Sequence, residues 1–207
     1  MEAALTAQER APDGIVRVAG GLRQAVEEAL RTDAAWVWIL EGSTAPRPGA
    51  LGALLDGLER VGDLPEPGVL AGVTVTPQGK VDRSRALWYR RNQIDLAMSS
   101  AVRRLLPIRA SAGPALVRRA AAASELPSAR APLSAGALLE WTARMLRARV
   151  GYLVPESESE PLDDAGNPLR DPRTALRLLL GRSLVRFDRL TYGYELAERT
   201  FARSIER

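Results

Sequence analysis

The chain contains no cysteine and no histidine. The first absence excludes disulfides, thiolate-held metals and cysteine nucleophiles. The second removes the commonest general base, every Ser-His-Asp triad and every His-ligated zinc site. Lysine is nearly absent as well, Lys80 being the single lysine among 29 basic residues. Long apolar runs are missing: the longest, Ala34 to Leu40, has the length of a strand and falls far short of a bilayer span. Met1-Glu2-Ala3-Ala4-Leu5 has no charged region followed by an apolar core, so no signal peptide is expected and a cytoplasmic location is predicted. Any chemistry must rest on carboxylates, hydroxyls, arginines and backbone amides.

What remains is enough for a folded domain. The 207 residues are 46% hydrophobic and 26% charged, which supports one core with a small appendage. The net charge of +4 is uneven: residues 1–100 carry 11 bases and 13 acids, 101–155 carry 9 and 2, and 156–207 carry 9 and 10. Arginine forks bind phosphate through two parallel bonds, so the basic middle suits phosphates or anionic lipid, or is simply a solvated face. No helix-turn-helix, RRM or zinc pattern accompanies it, and no nucleic-acid partner is expected.

Periodicity divides the chain into alternating elements. Residues 1–13 are polar and predicted to fray. Ile15-Val16-Arg17-Val18 alternates like a short strand, and Leu22 to Arg31 places Leu22, Val26, Ala29 and Leu30 on one helical face. Ala34–Leu40 is apolar throughout, predicting a central strand buried on both faces, with both indoles of Trp36 and Trp38 on one side. Pro48 opens a helix to about residue 60. Val69–Val75 reads as a strand, 88–107 as an arginine-rich helix, and Ala110–Val117 as a strand bent at Gly113-Pro114. A helix follows from Arg118, then a loop over Pro127–Pro132. Ala135–Arg149 reads as a strong helix closed by Gly151, and Tyr152–Pro155 as a short strand. Glu156–Pro172 reads as an acidic loop, and residues 173–207 as an amphipathic helical tail. The alternation predicts an α/β fold with a mostly parallel sheet.

Five segments then stand in an order of their own. They are Gly20-Gly21-Leu22-Arg23-Gln24-Ala25; Trp36–Leu40 with Pro46-Arg47-Pro48-Gly49-Ala50-Leu51; Ala71-Gly72-Val73 with Gly79-Lys80-Val81; Gly113–Arg119; and Glu140-Trp141-Thr142-Ala143-Arg144 with Gly151-Tyr152-Leu153-Val154-Pro155. This order resembles family-2 glycosyltransferases of the GT-A fold, especially the rhamnosyl- and galactofuranosyl-transferase-like branch, over about Gly14 to Glu160. The resemblance implies a GT-A-like domain over 14–160 that lacks the family's first β-α-β unit; composition and periodicity add a linker over 161–172 and the helical tail over 173–207. It implies nucleotide-sugar contacts at Gly20, Gly21, Arg23, Glu41 and Ser43, and acceptor contacts at Trp141, Arg118, Arg119 and Arg144. It also implies a divalent Mg or Mn ion near Glu41.

The departures from that pattern bear on chemistry. Where the family has an acidic cluster after the Trp36–Leu40 strand, this chain has Glu41-Gly42-Ser43, and one carboxylate cannot supply the usual oxygen set. The family's base position aligns with Ala137 and Leu138, neither of which takes a proton. Glu140 is either a displaced general base or an ion-pair partner of Arg144 one turn on. Trp141 either stacks on a sugar or fills a groove. Glu41 either meets a ligand at the carboxyl end of its strand or caps the next helix. Arg118-Arg119, with Arg103-Arg104 and Arg109, either clamp a phosphate or form a solvated face.

Two functions follow as expectations. One is transfer of a sugar from a nucleotide-sugar donor to a cell-envelope glycan or lipid-linked acceptor. The other is a catalytically inactive GT-A-like scaffold or regulatory partner of a complete glycosyltransferase. The missing first strands predict an open edge near Ile15–Val18 and pairing with a second copy or another chain. The tail carries nine arginines against five acids from Arg170 onward, with Leu176, Leu179 and Leu180 on one helical face. Peripheral contact of residues 173–207 with an anionic membrane surface is therefore expected. Sedimentation with acidic-lipid vesicles should show salt-sensitive binding that disappears on deletion of 170–207; absence of binding at low salt refutes the membrane role.

Overall fold

The computed structural model describes residues 2–76, 79, 81, 86–88 and 105–162. The expectations for Lys80, Arg103, Arg104 and the tail lie outside these residues. Among the described residues no helix is long and apolar enough to cross a membrane.

The chain forms α1 (Glu2–Thr6), α2 (Leu22–Leu30), β1 (Trp36–Ile39), β2 (Thr44–Pro46), α3 (Ala50–Glu59), β3 (Pro67–Thr74), β4 (Ala86–Trp88), β5 (Leu106–Ser111), β6 (Ala115–Arg118), α4 (Arg119–Ser124), α5 (Ala135–Met145) and β7 (Val150–Pro161). The strands make one sheet in the order β1-β6-β3-β7-β5-β4, with β2 added against β7. Strand β6 runs antiparallel to both its neighbours, with Trp38 and Leu70 flanking Leu116. Strands β3 and β7 are parallel, pairing Leu70 with Tyr152 and Ala71 with Leu153. The remaining neighbours are antiparallel.

The fold is thus α/β with a mixed sheet, where periodicity alone predicts a mostly parallel one. Strand direction depends on which elements become neighbours, and alternating helices and strands do not report that. The Ala110–Val117 segment illustrates the point: it breaks at Ala112–Pro114 into β5 and β6, which run in different parts of the sheet.

Helices cover both faces. Alternation in β3 sends Val69, Ala71 and Val73 toward Leu22, Val26, Leu138, Trp141 and Met145. It sends Leu70 toward Leu51, Leu54 and Tyr152, where Trp36 and Trp38 also pack, so the two indoles share one side as expected. The strand buried on both faces is β3, each of whose residues is buried. Strand β1 is the end of the sheet among the described residues, and Trp36, Val37 and Trp38 are only half-buried because β6 is their sole neighbour.

Helix α2 buries Leu22, Val26 and Ala29 at helical spacing, and α3 buries Leu51 and Leu54. Helix α5 starts at Ser134, whose side chain accepts from Ala137 N at 3.3 Å. It stops at Met145, and Gly151 sits inside β7 rather than capping it. That glycine is there for closeness: a Cβ would lie 2.8 Å from both methyls of Leu146.

Three further expectations are corrected. Ile15-Val16-Arg17-Val18 is not a strand; Ile15 and Val16 are 45% and 47% exposed, and four alternating residues do not hold a strand without a paired neighbour. Residues 1–13 do not simply fray, since α1 is followed by Gln8, which is 7% exposed and inserted beside α3. Its amide donates to Ala4 O and Arg47 O, each at 2.9 Å, and its carbonyl accepts from Leu51 N at 3.1 Å. The Glu156–Pro172 loop begins as strand: residues 156–161 extend β7, burying Ser157 and Ser159 while Glu160 is exposed. Of the helix expected over 88–107, Trp88 ends β4 and Leu106 starts β5, and residues 89–104 lie outside the described residues.

Tyr152 gives this core a pH dependence. Its hydroxyl donates to Pro65 O at 3.2 Å, and burial raises its pKa above the ordinary tyrosine value. The folded phenol keeps its proton to higher pH than the unfolded one. This contribution is therefore complete below about pH 10 and is lost as pH rises through the folded value. Urea midpoints should show wild type falling relative to Tyr152→Phe between about pH 8 and about pH 11. Parallel loss in both proteins would refute this assignment.

Candidate functional site

Strand β1 ends at Ile39 and hands the chain to a tight turn in which Thr44 N donates to Glu41 O at 3.1 Å. Strand β2 then pairs with the end of β7, and Leu162 N donates to Ser43 O at 2.8 Å. Glu41 is half-buried at this corner. The Oγ of Ser43 is buried with no hydrogen-bond partner, which is a costly state for a hydroxyl. Buried hydroxyls collect nearby on β3 and β7: Thr74 Oγ1 and Ser159 Oγ are 3.4 Å apart, and Ser159 donates to Val73 O at 3.2 Å. Sequence reasoning passed over these two residues. The signal for Ser159 was the Glu-Ser-Glu-Ser-Glu alternation of 156–160, a period of two that marks a strand.

The glycines of the α2 segment have packing roles. Leu22 N donates to Ala131 O at 3.0 Å, and a Cβ on Gly21 would lie 2.4 Å from that same oxygen. Only glycine lets the start of α2 approach the 128–132 loop so closely. Gly20 faces the side chain of Gln24. Arg23 pairs with Glu27 one turn on, at 2.7 Å.

The arginines that the resemblance assigns to the acceptor have structural contacts. Trp36 pairs with Arg118 across the β1–β6 ladder, so Arg118 sits beside the start of β1 and Glu41 lies beyond its other end. Five residues of extended chain separate them, roughly 15 Å. Arg118 forms an ion pair with Glu66. Arg119 N donates to Ala35 O at 2.9 Å, and Arg119 Nη2 donates to Leu30 O at 3.0 Å, tying α4 to the α2–β1 connection. Arg118 and Glu41 thus lie at opposite ends of β1.

Helix α5 carries the remaining candidates. Trp141 is 1% exposed, and its indole N–H donates to Glu125 O. The ring fills a groove in the core, so a sugar does not reach its face in this conformation. Arg144 holds three partners: Glu125 at 3.2 Å, Glu140 at 3.6 Å and Leu126 O at 3.0 Å. Glu140 is therefore engaged one turn from Arg144, the ion-pair alternative of the two. Ala137 and Leu138 are buried and apolar.

The acids of β7 are engaged as well. Arg47 bridges Glu158 and Glu160, the latter at 2.8 Å. The hydrogen bond to Glu160, with the charge of Glu158 behind it, outweighs burial and raises the Arg47 pKa above its ordinary value. Arg60 grips Glu156 with two nitrogens at 2.9 and 3.2 Å. No group of three or more metal-ligating side chains comes together among the described residues. Glu41 with the Ser43 hydroxyl offers one charged donor, and this does not fit a protein-held Mg or Mn ion.

No protein-family model and no curated protein sequence matches the chain.

Arg144 and Glu140 separate a structural from a chemical role. Arg144→Ala orphans Leu126 O and releases two carboxylates, and should cost about 1–3 kcal/mol in urea unfolding. Glu140→Gln leaves the other two contacts of Arg144 in place and should cost less than about 1 kcal/mol. Equal losses would show that the Glu140 pair carries the hub.

Proposed function

We infer that the chain is a glycosyltransferase-family protein with a GT-A-like fold, related to transfer of a sugar from a nucleotide-sugar donor to a cell-envelope glycan or lipid-linked acceptor. The observation that carries this reading is the Glu41–Ser43 turn. It lies at the carboxyl end of a strand in an α/β sheet covered on both faces, where open sheets of this class bind ligands. The unpartnered, buried Ser43 hydroxyl supplies a donor for a phosphate or sugar oxygen there. Further support comes from the order of segments that resembles the family and from β6 lying antiparallel between β1 and β3, which gives those two strands a common direction.

A second reading, a non-catalytic partner of a complete glycosyltransferase, is favoured by the pairing of Glu140 with Arg144. In-line displacement at a sugar carbon needs a base to take the acceptor's proton. Glu140 has a competing cation, and the aligned Ala137 and Leu138 are apolar.

Titration of the full chain with nucleoside diphosphates and their sugar conjugates, followed by NMR, separates the readings. The donor reading expects binding that Ser43→Ala weakens about tenfold, as for loss of one hydrogen bond to a charged group. Binding together with sugar transfer establishes an enzyme, and binding without transfer establishes the partner role. No binding at millimolar concentration overturns the donor site.

A further inference from the structure

Among the described residues, strand β1 has one neighbour only, β6. The ladder between them fixes which backbone groups are in use. Arg119 N donates to Ala35 O, and the antiparallel register carries the bonded positions on to Val37 and Ile39. The amides and carbonyls of Trp36 and Trp38 therefore point the other way, along an edge that no described strand covers. Natural edges are blunted by charge, proline or a bulge. Trp36-Val37-Trp38-Ile39 has none of these, and its register on β6 is unbroken.

Residues 15–18 have the opposite lack, a strand's pattern without a ladder. Ile15 and Val16 are 45% and 47% exposed, and they are two of the four large apolar side chains left exposed among the described residues. Residues 13–17 are exposed throughout. Both flanks are fastened, so the segment is presented at the surface rather than trailing. On one side Glu9 N donates to Pro48 O at 3.0 Å, and Arg10 pairs with Asp56 at 3.1 Å. On the other, Leu22 N donates to Ala131 O at 3.0 Å.

Segment and edge fit one another. Strand β1 is four residues long, the length of the 15–18 pattern. Alternation would put Ile15 on one face of an added strand and Val16 and Val18 on the other. An apolar residue is then available both beside the indoles of Trp36 and Trp38 on the α3 side and beside Val37 on the α2 side. In this structure the segment is not seated on its own β1.

We propose that residues 15–18 of one copy add as an outer strand to the β1 edge of a second copy, and that the exchange is reciprocal. Each copy gives one segment and receives one, so the contact closes as a two-fold dimer. The backbone groups of Trp36 and Trp38 gain partners, and Ile15 and Val16 leave water.

The test combines sedimentation equilibrium of the full chain with amide hydrogen exchange, from micromolar to millimolar concentration. The chain should pass from monomer to dimer. The Trp36 and Trp38 amides should exchange fast when dilute and slowly when concentrated, while those of Val37 and Ile39, bonded to β6, stay slow throughout. Ile15→Glu combined with Val16→Glu should weaken the dimer by about tenfold or more, because two charges would enter the new ladder. Both side chains are exposed in the single copy, so the thermal midpoint of the dilute variant should match wild type. A strict monomer at millimolar concentration would overturn the proposal. So would a dimer in which the Trp36 and Trp38 amides stay fast, or one that the double substitution leaves intact. Slow exchange of those two amides in the dilute monomer would show the edge already covered within one chain, and would overturn it as well.

Discussion

The parallel pairing of β3 with β7 is the contact on which the other elements depend. Strand β7 pairs with β3 along one edge, with β5 along the other over its first residues, and with β2 over its last. The β3–β7 ladder is irregular: Ala71 faces Leu153, yet Val73 faces Glu158, so β7 contributes extra residues at that step. Gly72 makes the irregularity tolerable. A Cβ there would lie 2.5 Å from Ser157 O, and Gly72 N meanwhile donates to Pro114 O at 2.9 Å. The bulge lets one strand serve two pairings, buried at Tyr152–Val154 and presenting acids at Glu158 and Glu160.

That division organises charge as well as packing. The acids of the outer half meet Arg47 and Arg60, which flank α3 in sequence, so ion pairs hold the chain on both sides of that helix to β7. In the inner half, Tyr152 and Val154 pack with Leu51 and Leu54 of the helix and Leu70 of β3. Around Arg144 the same device recurs on the other face, where one guanidinium fixes Glu125, Glu140 and the Leu126 carbonyl. Among the described residues, Arg118 and Arg119 likewise join elements to one another.

Much of the secondary structure was legible. The helical faces of α2, α3 and α5 and the position of β3 follow from apolar spacing, because each buries its stripe against the sheet. Neighbour order was not. Trp36-Val37-Trp38-Ile39 reads as a central strand, and bulky residues at a sheet end give the same pattern when a helix such as α3 shelters one face. The extension of β7 was hidden because glutamates are poor strand formers, and three of them in a row of alternation look like a loop. Of the candidate site, Glu41 and Ser43 stand together as expected from adjacency. The separation of Arg118 from them depends on the direction of β6, which nothing local specifies.

The late position of β7 has a consequence for how the chain assembles. Strand β3 needs a partner that begins at Val150, and β2 needs one that ends at Pro161. During synthesis, β3 and β5 both leave the ribosome while the slot between them is empty, each with an unpaired edge facing it. The sheet cannot close until the final described strand is released, which makes its contacts long-range and its assembly slow compared with the helices. In the interval both unpaired edges are open to pairing with another chain.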